Sequence, residues 1–116
     1  MRILGFNKKW DKLNQDVFTT FRFPRKDTDR GRDWHNGEVL KIVFQPRHQN
    51  EYLGIAKVIY KDERWVSDIR NDEAIADGFL SGKEEMWRWL IASHKNCESR
   101  TPINKLTLRW INPTLA

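Results

Sequence analysis

The alternation of apolar and polar residues along the chain predicts several short strands. The run 17–23 is rich in aromatic and β-branched residues, which favour strands. Because side chains alternate between the two faces of a strand, one face of this run carries Phe18, Thr20 and Arg22. Gly54 interrupts another predicted strand and indicates a bulge or a bend. That strand is expected at 52–60, and the other strands are expected at 38–44, 64–66 and 104–110.

Two helices are predicted ahead of the last strand. Residues 72–77 have the pattern of a short helix, and Gly78 can take the left-handed conformation that ends it. Ser81 and Glu84 have the spacing of a capping box, which predicts the start of a longer helix. A helical turn or two is also expected over residues 8–13. The apolar stripe of the longer helix comprises Met86, Trp89 and Leu90.

The order of these elements predicts a small mixed α+β domain or a helix-capped barrel. The 116 residues are expected to form a single domain, 1–116, with one modest core. No apolar run approaches the roughly 20 residues that a membrane span needs, so no membrane association is expected. The single cysteine, Cys97, cannot form an internal disulfide, which favours a reducing cytoplasm.

The net charge of +5 favours a polyanionic partner, most simply nucleic acid. Much of the positive charge lies in the polar loop 24–37, which is long enough to favour a functional role. Its cations accompany three aspartates, so the loop could track a nucleic-acid backbone or could simply be solvated. These cations are Arg25, Lys26, Arg30 and Arg32.

Six tryptophans are unusual in so short a chain. Trp34 and Trp65 fit an apolar core stripe least well, and they are the candidates for stacking on bases. The tryptophans assigned to the core are Trp87, Trp89 and Trp110. His94 and Cys97 come nearest to a metal-binding pair but lack two further ligands, so neither a metal nor a cofactor is expected.

Four features that follow one another in order carry a family resemblance. They are the Thr20-x-Arg22 pair, the Asn36-Gly37-Glu38-Val39 entry to the next strand, the Ala74-x-x-Asp77-Gly78 segment with its following helix, and the closing strand 104–110 after a proline. Together they span roughly residues 3–111, and the chain resembles the ASCH family of the PUA-like superfamily. The resemblance implies a PUA-like β-barrel of about five to six strands, with two to three helices packed against it. It also implies a cleft between barrel and helices and a role in RNA binding.

The leading hypothesis is a non-catalytic, monomeric module that binds RNA or single-stranded nucleic acid. In the cleft that the resemblance implies, Thr20, Arg22 and Asp77 would contact a nucleotide. From the residues alone, Arg22 could equally form a structural ion pair with Asp77, and Asp77 could be a plain helix cap. The predicted binding residues are Thr20, Arg22, Arg25, Lys26, Arg32, Trp34, Trp65 and Asp77.

An enzymatic function is the second hypothesis. Some ASCH relatives are small amidohydrolases that remove the acyl group from N4-acetylcytidine, with a lysine and a threonine on the first strand and a glutamate ending the short helix. By position, Thr20 matches the threonine and Asp77 the glutamate, whereas Val17 occupies the lysine position. Without that amine the mechanism lacks its central group, which favours the non-catalytic hypothesis. A protein-interaction domain with an incidental basic surface is the third hypothesis.

Overall fold

The described residues form one five-stranded mixed sheet with two α-helices, which is an α+β fold. The computed structural model describes residues 2–6, 8, 10–25, 33–45, 50–94 and 96–113. The strands are β1 (Arg2–Phe6), β2 (Val17–Arg22), β3 (Val39–Phe44), β4 (Glu51–Trp65) and β5 (Pro102–Pro113). The helices are α1 (Asn71–Asp77) and α2 (Lys83–Ser93), with short 3-10 helices at Asp11–Asn14 and Val66–Asp68.

The sheet is open, with strand order β1-β3-β4-β5-β2. β1 runs parallel to β3, and the other neighbouring strands are antiparallel. The expected closed barrel is therefore wrong for the described residues, because β1 and β2 remain as edges that no hydrogen-bonded pairing joins. The side chains of Phe6 and Phe18 meet across the space between these edges, with ring centroids 6.3 Å apart.

Two apolar clusters hold the sheet and the helices together. The first lies on the inner face of the curved sheet and includes Leu40, Ile42 and Leu108. The second joins the end of the sheet to α1 and α2 through Phe21, Met86 and other side chains. The partly buried indole of Trp10 packs against both clusters. The chain just before the first 3-10 helix is therefore fixed against sheet and helices together.

Several predicted element boundaries are confirmed and others are wrong. The strands predicted at 17–23, 38–44 and 104–110 lie where β2, β3 and β5 form. The separate strand at 64–66 does not exist, because β4 pairs with β5 as far as the Trp65–Pro102 register position. The helical turn or two expected over 8–13 is found as the shorter 3-10 helix Asp11–Asn14, and β1 (Arg2–Phe6) is a strand that the sequence analysis does not predict. β1 is a short edge strand with Ile3 exposed, so the apolar alternation that identifies strands is weak there.

The predictions for the helix ends and for the strand bulge are partly confirmed. Gly78 ends α1 with φ +119°, and its N–H donates to carbonyls of that helix. The bulge predicted at Gly54 is confirmed, since the β3–β4 register shifts beside it. The capping box at Ser81 is wrong, because α2 starts at Lys83 and the amide of Lys83 donates to Asn71 Oδ1 at 2.9 Å. Among the described residues no helix is both long and apolar enough to cross a membrane.

Candidate nucleotide pocket between the sheet edges and the helices

A pocket of about 340 Å³ lies where the two edge strands approach the helices. The end of β1 contributes Gly5 and Phe6, and β2 contributes its last residues, including Thr20 and Arg22. Trp10 and the first 3-10 helix line another side, while α1, α2 and the turn between them complete it. This volume is at the lower end of the range that small-molecule sites occupy, so it fits one ligand of nucleotide size.

A buried ion pair joins the first 3-10 helix to the end of α1 within the pocket. Lys12 Nζ lies 2.9 Å from Asp77 Oδ1, and both side chains are only 6% exposed. Burial lowers the pKa of Lys12, although the attraction of Asp77 acts against this. Burial likewise raises the pKa of Asp77, against the attraction of Lys12. In both groups burial disfavours the charged form and the ion pair favours it.

Arg22 lies beside this pair but does not join it by an ion pair. Its Nε donates to Thr20 Oγ1 at 3.2 Å, and its guanidinium carbon lies 4.6 Å from the centroid of the Phe6 ring. Burial lowers the pKa of Arg22 to about 10, with Asp77 acting against the shift, so the group remains protonated at neutral pH. The Thr20 hydroxyl is therefore in position to contact both this guanidinium and a ligand.

Three aromatic side chains form one wall of the pocket. Trp10, Phe79 and Trp89 contact one another, with ring centroids 5.2 to 6.3 Å apart. Trp89 is 42% exposed, and the ammonium of Lys8 lies 4.4 Å from the centroid of the Trp10 ring. An aromatic wall that solvent can reach, beside polar groups deeper in the pocket, is suited to holding a planar base.

Some predicted site residues lie outside the pocket. Trp34 is 6% exposed and its indole donates to the Phe23 carbonyl, so it belongs to the inner cluster. Trp65 is 49% exposed at the end of β4 and does not line the pocket. The guanidinium of Arg25 lies 4.9 Å from the centroid of the Trp34 ring. The predicted residues Lys26 and Arg32 lie outside the described residues.

The sequence analysis does not identify Lys12 or the three aromatic residues Trp10, Phe79 and Trp89 as site residues, although all four line the pocket. Lys12 reaches Asp77 from a segment 65 positions away, and no local pattern marks a lysine as buried. The apolar stripe of α2 predicts a core position for Trp89, but its ring lies at the pocket edge and is 42% exposed. In the part of the chain that the structure describes, no three His, Cys, Asp or Glu side chains are grouped to hold a metal.

Comparisons of the chain with protein-family models, with curated proteins and with solved structures find no match. The resemblance to the ASCH family therefore stays a prediction. What the pocket does has to be inferred from its own geometry and charge.

Proposed function

We propose that the protein binds RNA or other single-stranded nucleic acid, and that the pocket holds one nucleotide of the strand. The observation that carries this proposal is the combination of polar groups and aromatic wall in one pocket. Donors and acceptors lie on one side of the pocket, in the side chains of Lys12, Thr20, Arg22 and Asp77. Aromatic rings lie on the other side, in Trp10, Phe79 and Trp89.

Each part of the pocket suits a different part of a nucleotide. The ring faces can stack on any base, because every base has a π-face. The guanidinium and hydroxyl of Arg22 and Thr20 are donors suited to a phosphate or to a base carbonyl. The net charge of +5 attracts the rest of the strand without regard to its sequence.

The test is a tryptophan-fluorescence titration with a short single-stranded RNA at low and at moderate salt. Trp10 and Trp89 line the pocket, so a bound base should quench their emission. We expect saturable quenching that weakens as salt rises, and we expect Arg22→Gln to weaken binding about tenfold or more.

Arg109→Gln is the matched control for this experiment. Arg109 is an exposed arginine that pairs with Val17, five positions along β2 from Arg22, so its loss removes the same charge away from the pocket. This variant should bind RNA within about twofold of the wild type, because one exposed charge is largely screened. Flat titration curves at low salt would contradict the proposal, as would equal losses in both variants.

A second candidate function is hydrolysis of an N4-acylated cytidine, and one observation favours it. Lys12 lies 2.9 Å from Asp77 Oδ1 in the same pocket as Thr20, so in this candidate Lys12 would take the role of the amine that is missing at Val17. Hydrolysis would consume one water, break the C–N bond, and release a carboxylate and the free amino group. A buried Lys–Asp pair could transfer the protons that this reaction requires.

This candidate is tested by incubating the protein with N4-acetylcytidine and measuring the cytidine released. We expect Lys12→Met and Thr20→Ala to abolish turnover if it occurs, while Arg109→Gln keeps the full rate. No release by the wild type under conditions where cytidine binds would exclude the hydrolase and leave the binding function intact.

A further inference from the structure

The charges that line the pocket do not cancel. Its charged residues are two cations, Lys12 and Arg22, and one carboxylate, Asp77, so their formal sum is 2 − 1 = +1. Lys12 and Asp77 lie 2.9 Å apart and compensate each other. The positive charge that remains is that of Arg22.

Among the described residues, the groups in direct contact with the Arg22 guanidinium are neutral, although Asp77 attracts it from a greater distance. The neutral groups are the Thr20 hydroxyl at 3.2 Å and the ring of Phe6. Among the residues that the structure describes, no carboxylate forms an ion pair with the guanidinium, and Asp77, which attracts it, is in ion-pair contact with Lys12 instead. One carboxylate therefore serves two partly buried cations, and an anion that enters the pocket would compensate the remaining positive charge.

From this charge balance, we infer that the pocket selects a ligand with an anionic group, which binds Arg22 and Thr20, and that this ligand is a nucleotide rather than an uncharged nucleoside or base. The inference rests on the proposed function and adds the part of the ligand that Arg22 contacts. The guanidinium presents a fork of donors that matches phosphate oxygens, and the hydroxyl of Thr20 adds a further donor. The base then lies against the aromatic wall formed by Trp10, Phe79 and Trp89.

The size of the pocket supports a single nucleotide. About 340 Å³ is close to the smallest volume of typical ligand sites, so the remainder of a strand would have to lie outside. A free nucleoside monophosphate and one nucleotide of an oligomer share the required chemistry, which is a base joined through a sugar to a phosphate.

The experiment compares nucleosides with their monophosphates by the same fluorescence titration. The ligands are cytidine, adenosine, their 5′-monophosphates, and a four-nucleotide RNA with and without a 5′-terminal phosphate. We expect each monophosphate to bind at least about tenfold more tightly than its nucleoside, the scale of hydrogen bonds to charged groups. A tetranucleotide that binds equally with and without its terminal phosphate identifies an internal phosphate as the group on Arg22. Tighter binding with the terminal phosphate identifies a strand end.

Arg22→Gln tests whether the guanidinium is responsible. This variant should lose the preference for the monophosphate, so that its affinities for nucleoside and monophosphate become equal. Arg109→Gln should keep that preference. A second measurement does not depend on the base: inorganic phosphate should raise the melting temperature of the wild type and of Arg109→Gln, but not that of Arg22→Gln.

The possible failures are distinguishable. Equal affinity of nucleoside and monophosphate for the wild type would overturn this inference and leave the proposed function standing. An undiminished preference in a folded Arg22→Gln variant would also overturn it. If neither nucleosides, nucleotides nor RNA bind, the proposed function fails, and the inference fails with it.

Discussion

Lys12 and Arg22 lie in the same pocket, yet their charges are held in different ways. The ammonium of Lys12 has a buried carboxylate 2.9 Å away, whereas the contacts of the Arg22 guanidinium among the described residues are a hydroxyl and an aromatic ring. Removing one partner of a buried pair leaves the other charge buried and uncompensated. Removing the Arg22 guanidinium, which forms no ion pair among the described residues, does not break an ion pair. The two positions should therefore respond differently to substitution.

We expect Lys12→Met to lower the free energy of unfolding by about 3 kcal/mol, because it removes the ion-pair partner of the buried Asp77 carboxylate. Arg22→Gln should change it by less than about 1 kcal/mol. Urea unfolding followed by circular dichroism measures both. The double variant Lys12→Met/Asp77→Leu should recover much of the loss, since neither charge remains. A loss in Arg22→Gln as large as in Lys12→Met would mean that the guanidinium is structural, and this result would weaken the pocket's assignment as an anion site.

Glu73 predicts how the stability depends on pH. Burial alone would raise the pKa of this carboxyl, but hydrogen bonds from Arg64 and Lys105 lower it to about 2. Because the folded-state pKa is below that of the unfolded chain, the contribution is complete above about pH 4.5 and is lost as the pH falls towards 2. Its size at neutral pH is about 3 kcal/mol. Glu73→Gln should therefore destabilise the protein at pH 7 and flatten the fall in stability between pH 4.5 and 2.

Glu63→Gln is the control for this pH series. Glu63 also forms an ion pair, with Lys61. Its side chain is 75% exposed, so solvent screens the interaction. The unfolding free energy of the Glu63→Gln variant should follow that of the wild type at every pH. A Glu73→Gln curve parallel to the wild type below pH 4.5 would contradict the assignment of acid sensitivity to this carboxyl.

At the scale of elements, Gly78 couples the end of α1 to the pocket wall. It has φ +119°, and a Cβ added there would lie 2.4 Å from Cε3 of Trp10. Gly78→Ala should therefore carry two costs, the backbone strain and the displacement of the indole. We expect a loss of about 2 kcal/mol or more in the free energy of unfolding, together with weaker RNA binding.

Gly37→Ala separates these two costs. Gly37 has φ +84°, but nothing lies within 4 Å of the position that a Cβ would occupy. This variant should show the backbone strain alone, about 1 kcal/mol, with RNA binding unchanged. Equal losses of stability and unchanged binding in both variants would show that Trp10 adapts to the added methyl group.

The sequence predicts the elements whose signals are local. β2 is identified by its aromatic and β-branched residues, and the end of α1 by Gly78, because each signal lies within the element itself. The features that it does not reveal depend on distant segments. Asn71 bonds the first amide of α2 twelve positions away, and Lys12 bonds Asp77 across 65 positions. Closure of the sheet is equally non-local, because alternation assigns a face to each residue but does not say whether the two edge strands pair.

For the whole molecule, the position of the positive charge matters more than its total. One set of cations lies on the exposed face of the sheet: Lys57 and Arg109 are register partners, and Lys41 lies diagonally across from Lys57. Among the described residues, none of the three forms an ion pair. A second set lies in the loop predicted to follow a nucleic-acid backbone. These loop cations are Arg25, Lys26 and Arg32.

The loop and the sheet face can be compared by removing three charges from each. Replacement of either set by glutamine lowers the net charge from +5 to 5 − 3 = +2, so the change in overall attraction is the same. If the loop holds the strand, its triple variant should reduce the slope of log affinity against log salt by about 0.7 for each phosphate that the loop no longer neutralises. The sheet-face variant should leave that slope close to the wild-type value, and both variants should bind a mononucleotide as the wild type does.

The measurement is the titration of a twelve-nucleotide RNA at four salt concentrations. A reduced slope in the sheet-face variant alone would assign the path of the strand to the outside of the sheet. Equal slopes in all three proteins would confine the binding of RNA to the pocket, because a strand held only there has no further phosphates for either set of cations to neutralise.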